Sequence, residues 1–106
     1  LPAQAEAQLE KNDAISILNT GSDYPSMVTL EDLRIIIRNV RPDLDKEEIV
    51  YPATFTFDLG CDSLDMFEIL QGCAKFYGIG FTESDMANIM MVGDLADIIQ
   101  QKLNKL

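Results

Sequence analysis

The sequence contains no histidine and no tryptophan, and its 8 basic residues are outnumbered by 18 acidic ones. The absence of histidine removes the base that most often activates a serine or cysteine nucleophile. The formal net charge of −10 argues against binding to nucleic acid, whose phosphates would repel the chain, and against an anionic membrane surface. The acidic excess is compatible with simple solubility, and it also favours brief encounters with partner enzymes that have basic surfaces.

Cysteine is scarce too, because Cys61 and Cys73 are the only two. They match no zinc-binding spacing, and the predicted helix between them holds them too far apart for a disulfide. We therefore expect reduced thiols and a cytoplasmic location. The first residues lack the regions of a signal peptide, and no run approaches the ~20 apolar residues that span a bilayer. Because the chain begins at Leu1 and not at Met, we expect a processed protein or a piece of a larger synthase.

The 106 residues predict one domain with a modest core, preceded by an extension. Residues 1–27 form this extension, with a helix predicted near 3–18 and a loop at 20–26. Residues 28–106 form the domain, in which no strand-like alternation of useful length occurs. The fold class is therefore all-α, an antiparallel helical bundle with three longer helices and one short one, plus the N-terminal helix.

Capping residues and apolar periodicity place the helices of the domain. Thr29 begins the first helix and Pro42 ends it, and the predicted buried stripe consists of Leu30, Leu33, Ile36, Ile37 and Val40. The other helices are expected at about 63–77, 82–88 and 92–103. In the second helix, apolar spacing places Leu64, Phe67, Leu70, Ala74 and Tyr77 on one stripe, with Met66, Ile69, Cys73 and Phe76 beside it.

A long connection joins the first two predicted helices, at about residues 42–59. A helical turn is expected within 43–49, and four apolar residues should pin the rest to the core: Val50, Tyr51, Phe55 and Phe57. The three arginines of the first helix (Arg34, Arg38 and Arg41) are assigned to its polar face or its C-terminal end, where cations suit the helix dipole.

The stretch from Asp58 to Asp65 is the most informative one in the chain. Gly60 marks a loop, and Asp62 is a good N-cap for the helix that follows. Ser63 then occupies the first helical position, beside backbone donors that favour an anionic group such as a phosphate. A hydrolase nucleophile is a poor interpretation, because no base and no G-x-S-x-G elbow accompany Ser63. A plain helix-start serine is the simplest alternative.

The segment F-D-L-G-C-D-S-L-D-M-F-E-I-L resembles the attachment site of acyl carrier proteins, and the resemblance extends over residues 28–106. It implies that Ser63 receives a 4'-phosphopantetheine arm from coenzyme A, through a phosphopantetheinyl transferase. The arm's thiol would carry acyl groups as thioesters for fatty-acid or polyketide-type biosynthesis, in a non-catalytic carrier expected to be a monomer. Cys61 departs mildly from the family pattern, which more often has a small apolar residue there.

The resemblance also assigns partner contacts to the start of the second helix. Asp62, Leu64, Asp65 and Glu68 are predicted to meet acyl-loading and acyl-processing enzymes that have basic docking surfaces, and Asp62 can help hold the metal used during arm transfer. No resident metal site is predicted. The competing interpretation of these acidic residues is a solvated helix face that also favours the positive end of the dipole.

A cleft for the acyl chain is predicted between the second helix and the short one, with methionine supplying an adaptable wall. Its expected lining is Phe67, Leu70, Phe81, Ile89, Met90 and Leu95. Ordinary gap filling in a small core is the alternative explanation for the methionines. For Cys61, a reactive thiol at the dipole end is weighed against an incidental small apolar residue.

Two other functions stay open. The domain could be an unmodified carrier-like module that binds a partner through its acidic face. It could also carry aminoacyl or peptidyl groups, although such carriers more often have a G-G-x-S lead-in where this chain has L-G-C-D-S.

Overall fold

The computed structural model of the protein describes residues 24–106, and the helices expected there are confirmed. In chain order they are α1 (Leu30–Val40), a 3-10 turn (Lys46–Glu48), α2 (Ser63–Tyr77), α3 (Glu83–Ala87) and α4 (Val92–Asn104). The predicted N-terminal helix near 3–18 lies outside the described residues.

The helix starts follow the capping signals in the sequence. The Thr29 hydroxyl accepts a hydrogen bond from the Asp32 N–H at 3.1 Å and so begins α1. Thr82 and Asp85 cap α3 reciprocally, with distances of 3.0 and 2.9 Å between each side-chain oxygen and the other residue's backbone nitrogen. These bonds satisfy N–H groups that a helix cannot pair internally, which is why local sequence predicts the boundaries closely.

The core lies between the inward faces of α1, α2 and α4. Its helical members are Leu33, Ile36, Ile37, Ile69, Leu70, Cys73, Tyr77, Val92, Leu95, Ile99 and Leu103. Leu30 and Val40 of the predicted α1 stripe are only partly buried. In α2 the fully buried residues begin at Ile69, and Met66 is partly buried against the core. Leu64 and Phe67, on the predicted apolar stripe, are 63% and 51% exposed.

The connection between α1 and α2 is held by backbone pairing that the sequence did not predict. The Tyr51 carbonyl accepts from the Gly93 N–H at 2.8 Å, and the Phe55 N–H donates to the Met90 carbonyl at 3.0 Å. Ile49, Phe55 and Leu59 are buried beneath it. The loop thus pairs with the junction between α3 and α4, which satisfies its polar backbone groups and lets so long a segment stay ordered.

Two of the four predicted anchors of this connection are wrong. Phe57 is 88% exposed and Tyr51 is 42% exposed, whereas Ile49 is fully buried. The side chains of a tight loop cannot all face inward once its backbone is bonded to a neighbour, so the anchor positions depend on the pairing partner.

Arg38 lies in the last turn of α1 and Arg41 at its C-cap, as expected, and the structure adds the partners of the three arginines. Arg34 Nε donates to the Ile49 carbonyl and Arg38 Nε to the Leu44 carbonyl, each at 2.9 Å, and Arg41 Nη1 reaches the Gly60 carbonyl at 2.9 Å. Each arginine therefore fastens one point of the connection to α1. Their i, i+4, i+7 spacing was a usable signal, because it places three long donors along one side of the helix next to the loop.

Candidate functional site

The chain enters α2 through an alternation of buried and exposed residues. Leu59 and Cys61 are 2% and 6% exposed, and Gly60 lies between them with a φ of 65°. A side chain at Gly60 would strain this left-handed backbone. The two buried neighbours hold the turn to the core, and the next residues, Asp62 and Ser63, emerge into solvent.

The loop before this turn is closed by Asp58. Its carboxylate accepts from the Thr54 N–H at 2.8 Å and from the Thr54 hydroxyl at 3.1 Å. The Cys61 N–H donates to the Phe55 carbonyl at 2.8 Å. These hydrogen bonds fix the backbone of residues 54–61, which leads to Ser63.

A reciprocal capping box starts α2. Asp62 Oδ1 accepts from the Asp65 N–H at 2.9 Å, and Asp65 Oδ2 accepts from the Asp62 N–H at 3.1 Å. Ser63 follows as the first helical residue and is exposed. The first N–H groups of a helix have no preceding carbonyl to pair with, and the dipole is positive there, so an anion bonded to this serine oxygen would be favoured.

Asp65, predicted as a partner contact, is already engaged within the chain. Besides the capping bond, its Oδ2 accepts from Arg41 Nη1 at 3.1 Å, and its side chain is only 19% exposed. Arg41 also pairs with Asp43 at 2.8 Å. The hydrogen bonds that Arg41 donates to Asp43 are the main reason that the pKa of Arg41 is raised, with Asp65 contributing less.

The other predicted partner contacts are Asp62, at the N-cap of α2, and Leu64 and Glu68 within the helix, and all three are exposed. Leu64 is an apolar side chain in solvent next to Ser63, flanked by the carboxylates of Asp62 and Glu68. This face offers an apolar contact framed by negative charge, and its use by a partner stays a prediction.

A cleft of about 300 Å³ lies between α2 and α3. It contains three of the six residues predicted for the acyl pocket, and its full lining is Phe67, Leu70, Gln71, Ala74, Phe81, Thr82, Glu83 and Met86. The other three predicted residues are not among them. Ile89 and Leu95 are buried in the core, and Met90 is 68% exposed because backbone pairing with Phe55 fixes its position.

Sequence reasoning missed the part of this cleft that α3 supplies. Met86 lies in the lining together with Thr82 and Glu83, and none of the three was among the six residues predicted for it. Met86 comes four residues after the Thr82 cap, so the capping signal and helical spacing together could have identified it.

The environment of the two cysteines argues against a reactive thiol at Cys61. Both cysteines are free and buried. Burial raises the pKa of the Cys61 thiol, with the Asp65 carboxylate adding to the shift, and burial alone raises the pKa of Cys73 to about 12. Cys61 is therefore a small buried core residue, and the hypothesis that the helix dipole lowers its pKa is wrong.

Within residues 24–106, no cluster of three or more His, Cys, Asp or Glu side chains is placed to hold a metal ion. Of the helices in the same range, none combines the length and the apolar character that a membrane crossing requires.

The fold and this site together define a class of protein: a small helical bundle that presents an exposed serine at a fixed helix N-terminus, beside an apolar cleft. Comparison with known proteins agrees. An acyl carrier protein of Brachyspira hyodysenteriae is 31% identical over 75 residues, which cover 71% of this chain and 96% of that protein. One of Helicobacter acinonychis is 31% identical over 80 residues, covering 76% of this chain and 99% of that protein.

A plant relative gives the same result. Acyl carrier protein 2, chloroplastic, of Hordeum vulgare is 35% identical over 77 residues, covering 73% of this chain and 59% of that protein. No protein-family model matches the chain. On the coverage and identity of these relatives, the chain belongs to the acyl carrier protein family.

Proposed function

We propose that the protein carries acyl groups as thioesters on a 4'-phosphopantetheine arm attached to Ser63. The observation that supports the proposal most directly is the exposed Ser63 at the first position of α2, with its neighbours fixed by the capping box. An attachment residue has to be reachable by a modifying enzyme and yet stand at a defined place on the domain. A rigid, solvent-facing helix start meets both requirements.

In the proposed loading step, the Ser63 oxygen forms a bond to the phosphorus that carries the pantetheine of coenzyme A. The bond from that phosphorus to the nucleotide portion breaks, and the serine proton passes to a base of the transferase. The arm would supply a thiol for thioester formation. Within this chain, the positive dipole end of α2 would favour the resulting phosphodiester charge, while the carboxylates of Asp62, Asp65 and Glu68 would oppose it.

The chain acts here by presentation and not by turnover. A serine without a neighbouring base is a weak nucleophile, and the sequence has no histidine. We therefore infer a non-catalytic protein that is the substrate of its partner enzymes. The exposed face formed by Asp62, Leu64 and Glu68 supports docking of basic partners, and the net charge of −10 would speed their encounter.

The cleft between α2 and α3 supports acyl cargo over aminoacyl cargo. Its walls include the rings of Phe67 and Phe81, and its volume of about 300 Å³ is at the lower end of small-molecule sites. An alkyl chain gains free energy from such a surface in proportion to the apolar area that it buries, whereas a charged amino group does not.

Intact-mass measurement tests the proposal after incubation with coenzyme A, Mg²⁺ and a phosphopantetheinyl transferase. We expect a mass increase equal to one arm, and its complete loss in Ser63→Ala. Ser84→Ala is the matched control, because Ser84 is also exposed in the first turn of a helix that begins with a capping box. Absence of a mass gain, or a gain that survives Ser63→Ala, would contradict the proposal and favour the unmodified interaction module.

A further inference from the structure

Arg41 joins three parts of the molecule through one guanidinium group. It lies at the C-terminal cap of α1, and its Nε and Nη2 donate to the Asp43 carboxylate at 2.9 and 2.8 Å. Its Nη1 donates to the Gly60 carbonyl at 2.9 Å and to Asp65 Oδ2 at 3.1 Å. The end of α1, the end of the connection and the first turn of α2 thus share one side chain, which is 24% exposed.

These contacts lie on both sides of Ser63. Gly60 holds the sharp turn before it, and Asp65 is the residue of the first turn that closes the capping box with Asp62. Because Asp65 Oδ2 accepts from both Arg41 and the Asp62 N–H, the arginine fixes the oxygen on which that box depends. A planar guanidinium with several donors can hold such a junction, whereas a single ammonium cannot.

The same ion pair changes the electrostatics around Ser63. Asp62, Asp65 and Glu68 would each repel a phosphodiester on the serine oxygen, and Arg41, which also pairs with Asp43, offsets part of the charge of Asp65. Asp65 is also largely withdrawn from solvent, at 19% exposure. The carboxylates left for a basic partner on this turn of α2 are those of Asp62 and Glu68, both exposed.

We propose that Arg41 is a positioning residue for Ser63: it fixes the Gly60 turn and the first turn of α2, and it withholds Asp65 from partner docking. The inference rests on the proposed function insofar as it concerns loading of Ser63. It predicts that this chain recruits basic partners through Asp62 and Glu68, and that Asp65 serves the geometry of the attachment site.

The test compares Arg41→Met with Arg34→Met. Arg34 is a matched control on the same helix, since it also donates to a carbonyl of the connection (Ile49, 2.9 Å) and to a carboxylate (Glu31, 2.9 Å), but neither partner adjoins Ser63. Methionine keeps most of the apolar stem in both variants. Amide hydrogen exchange is measured on the unmodified protein by NMR.

We expect Arg41→Met to speed exchange at the Asp62 and Asp65 amides about fivefold, because charge-assisted hydrogen bonds that hold the turn are lost, while Arg34→Met leaves both amides unchanged. Equal effects in the two variants, or no effect in Arg41→Met, would overturn the inference. Asp65→Asn removes the same ion pair from the side of Asp65 while keeping a capping oxygen. If Arg41→Met does not fold, faster exchange at the Asp62 amide in Asp65→Asn supports the inference, and unchanged exchange overturns it.

Loading kinetics with a phosphopantetheinyl transferase provide the second readout. We expect Arg41→Met to lower kcat about threefold without raising KM, because the serine is less well positioned while an extra carboxylate becomes available for docking. A raised KM with unchanged kcat would mean that Arg41 acts only through surface charge, and the positioning role would be wrong. If the wild-type protein is not loaded at all, the proposed function fails, while the exchange result still decides whether Arg41 holds the turn.

Discussion

At the residue scale, Gly78 shows how one position can serve both a helix and its neighbour. It ends α2 with a φ of 69°, and its N–H donates to the Ala74 carbonyl at 2.9 Å. A Cβ at this position would lie 2.8 Å from the ring of Tyr24. The left-handed backbone therefore favours glycine, and a Cβ would also displace the exposed ring of Tyr24.

We predict that Gly78→Ala lowers the free energy of unfolding by about 2 kcal/mol, from the left-handed strain and the displaced ring. Gly80→Ala is the control two residues away, where a Cβ would meet nothing within 4 Å. That variant should change stability by less than about 0.5 kcal/mol. Urea unfolding followed by circular dichroism measures both, and equal stabilities of the two variants would show that the glycine cap is not required.

The exposure of Ser63 follows from the burial of two residues that precede it. Leu59 and Cys61 are buried in the core on either side of Gly60, and the chain then turns outward to Ser63. The motif predicts the serine and its cap, since these depend on residues close in sequence. It does not predict that Asp65 is tied to Arg41, which is 24 residues away in the chain.

At the scale of elements, α3 has only five residues and depends on its neighbours. Lys102 of α4 pairs with Asp85 at 2.8 Å and lies 5.7 Å from the centre of the Phe81 ring. Since Phe81 lines the cleft, the lysine holds one wall of that cleft against α4. The hydrogen bond from Lys102, with a smaller contribution from the Thr82 N–H, keeps the pKa of Asp85 below its usual value.

We predict that Lys102→Met lowers the free energy of unfolding at pH 7 by about 0.5 kcal/mol, as is typical of a partly exposed ion pair. A lowered native pKa stabilises the fold fully above the unfolded pKa of Asp, about 4, and this contribution disappears as the pH falls through the lowered native value. The difference between wild type and Lys102→Met should therefore shrink at acid pH.

Urea unfolding at neutral and acid pH measures this difference. Lys105→Met provides the control, because Lys105 is exposed at the end of the same helix and forms no ion pair with residues 24–106. A difference between wild type and Lys102→Met that is the same at both pH values would show that the Asp85 carboxylate is not the partner that matters.

At the scale of the whole molecule, the segment before α1 is hydrogen-bonded to α4, the last helix. Gln100 of α4 accepts from the Val28 N–H at 3.0 Å and donates to the Ser26 carbonyl at 3.3 Å. With Tyr24 over Gly78, these contacts attach residues 24–28 to both α2 and α4. We propose that the carrier body includes residues 24–28, so that it extends before the boundary at residue 28 expected from the sequence.

This proposal predicts different results for two truncations. A chain that starts at Tyr24 keeps the Gln100 contacts, whereas one that starts at Thr29 leaves the Gln100 amide without these two partners. We expect the shorter chain to have a Tm about 5 °C below that of the longer one, which is the shift that a loss of about 1 kcal/mol produces in a domain of this size. Equal melting temperatures in differential scanning calorimetry would restore the boundary to residue 28.

The sequence by itself determined the helices, their caps and the identity of the serine that starts α2. These features depend on residues within about one helical turn of each other, so local hydrogen bonding and apolar spacing specify them. The tertiary structure decided which apolar residues are buried, since Tyr51, Phe57 and Met90 are exposed although the sequence predicted that they contact the core or the cleft. It also decided the partners of the three α1 arginines and the actual lining of the cleft, because such contacts form only when segments distant in the chain are brought together.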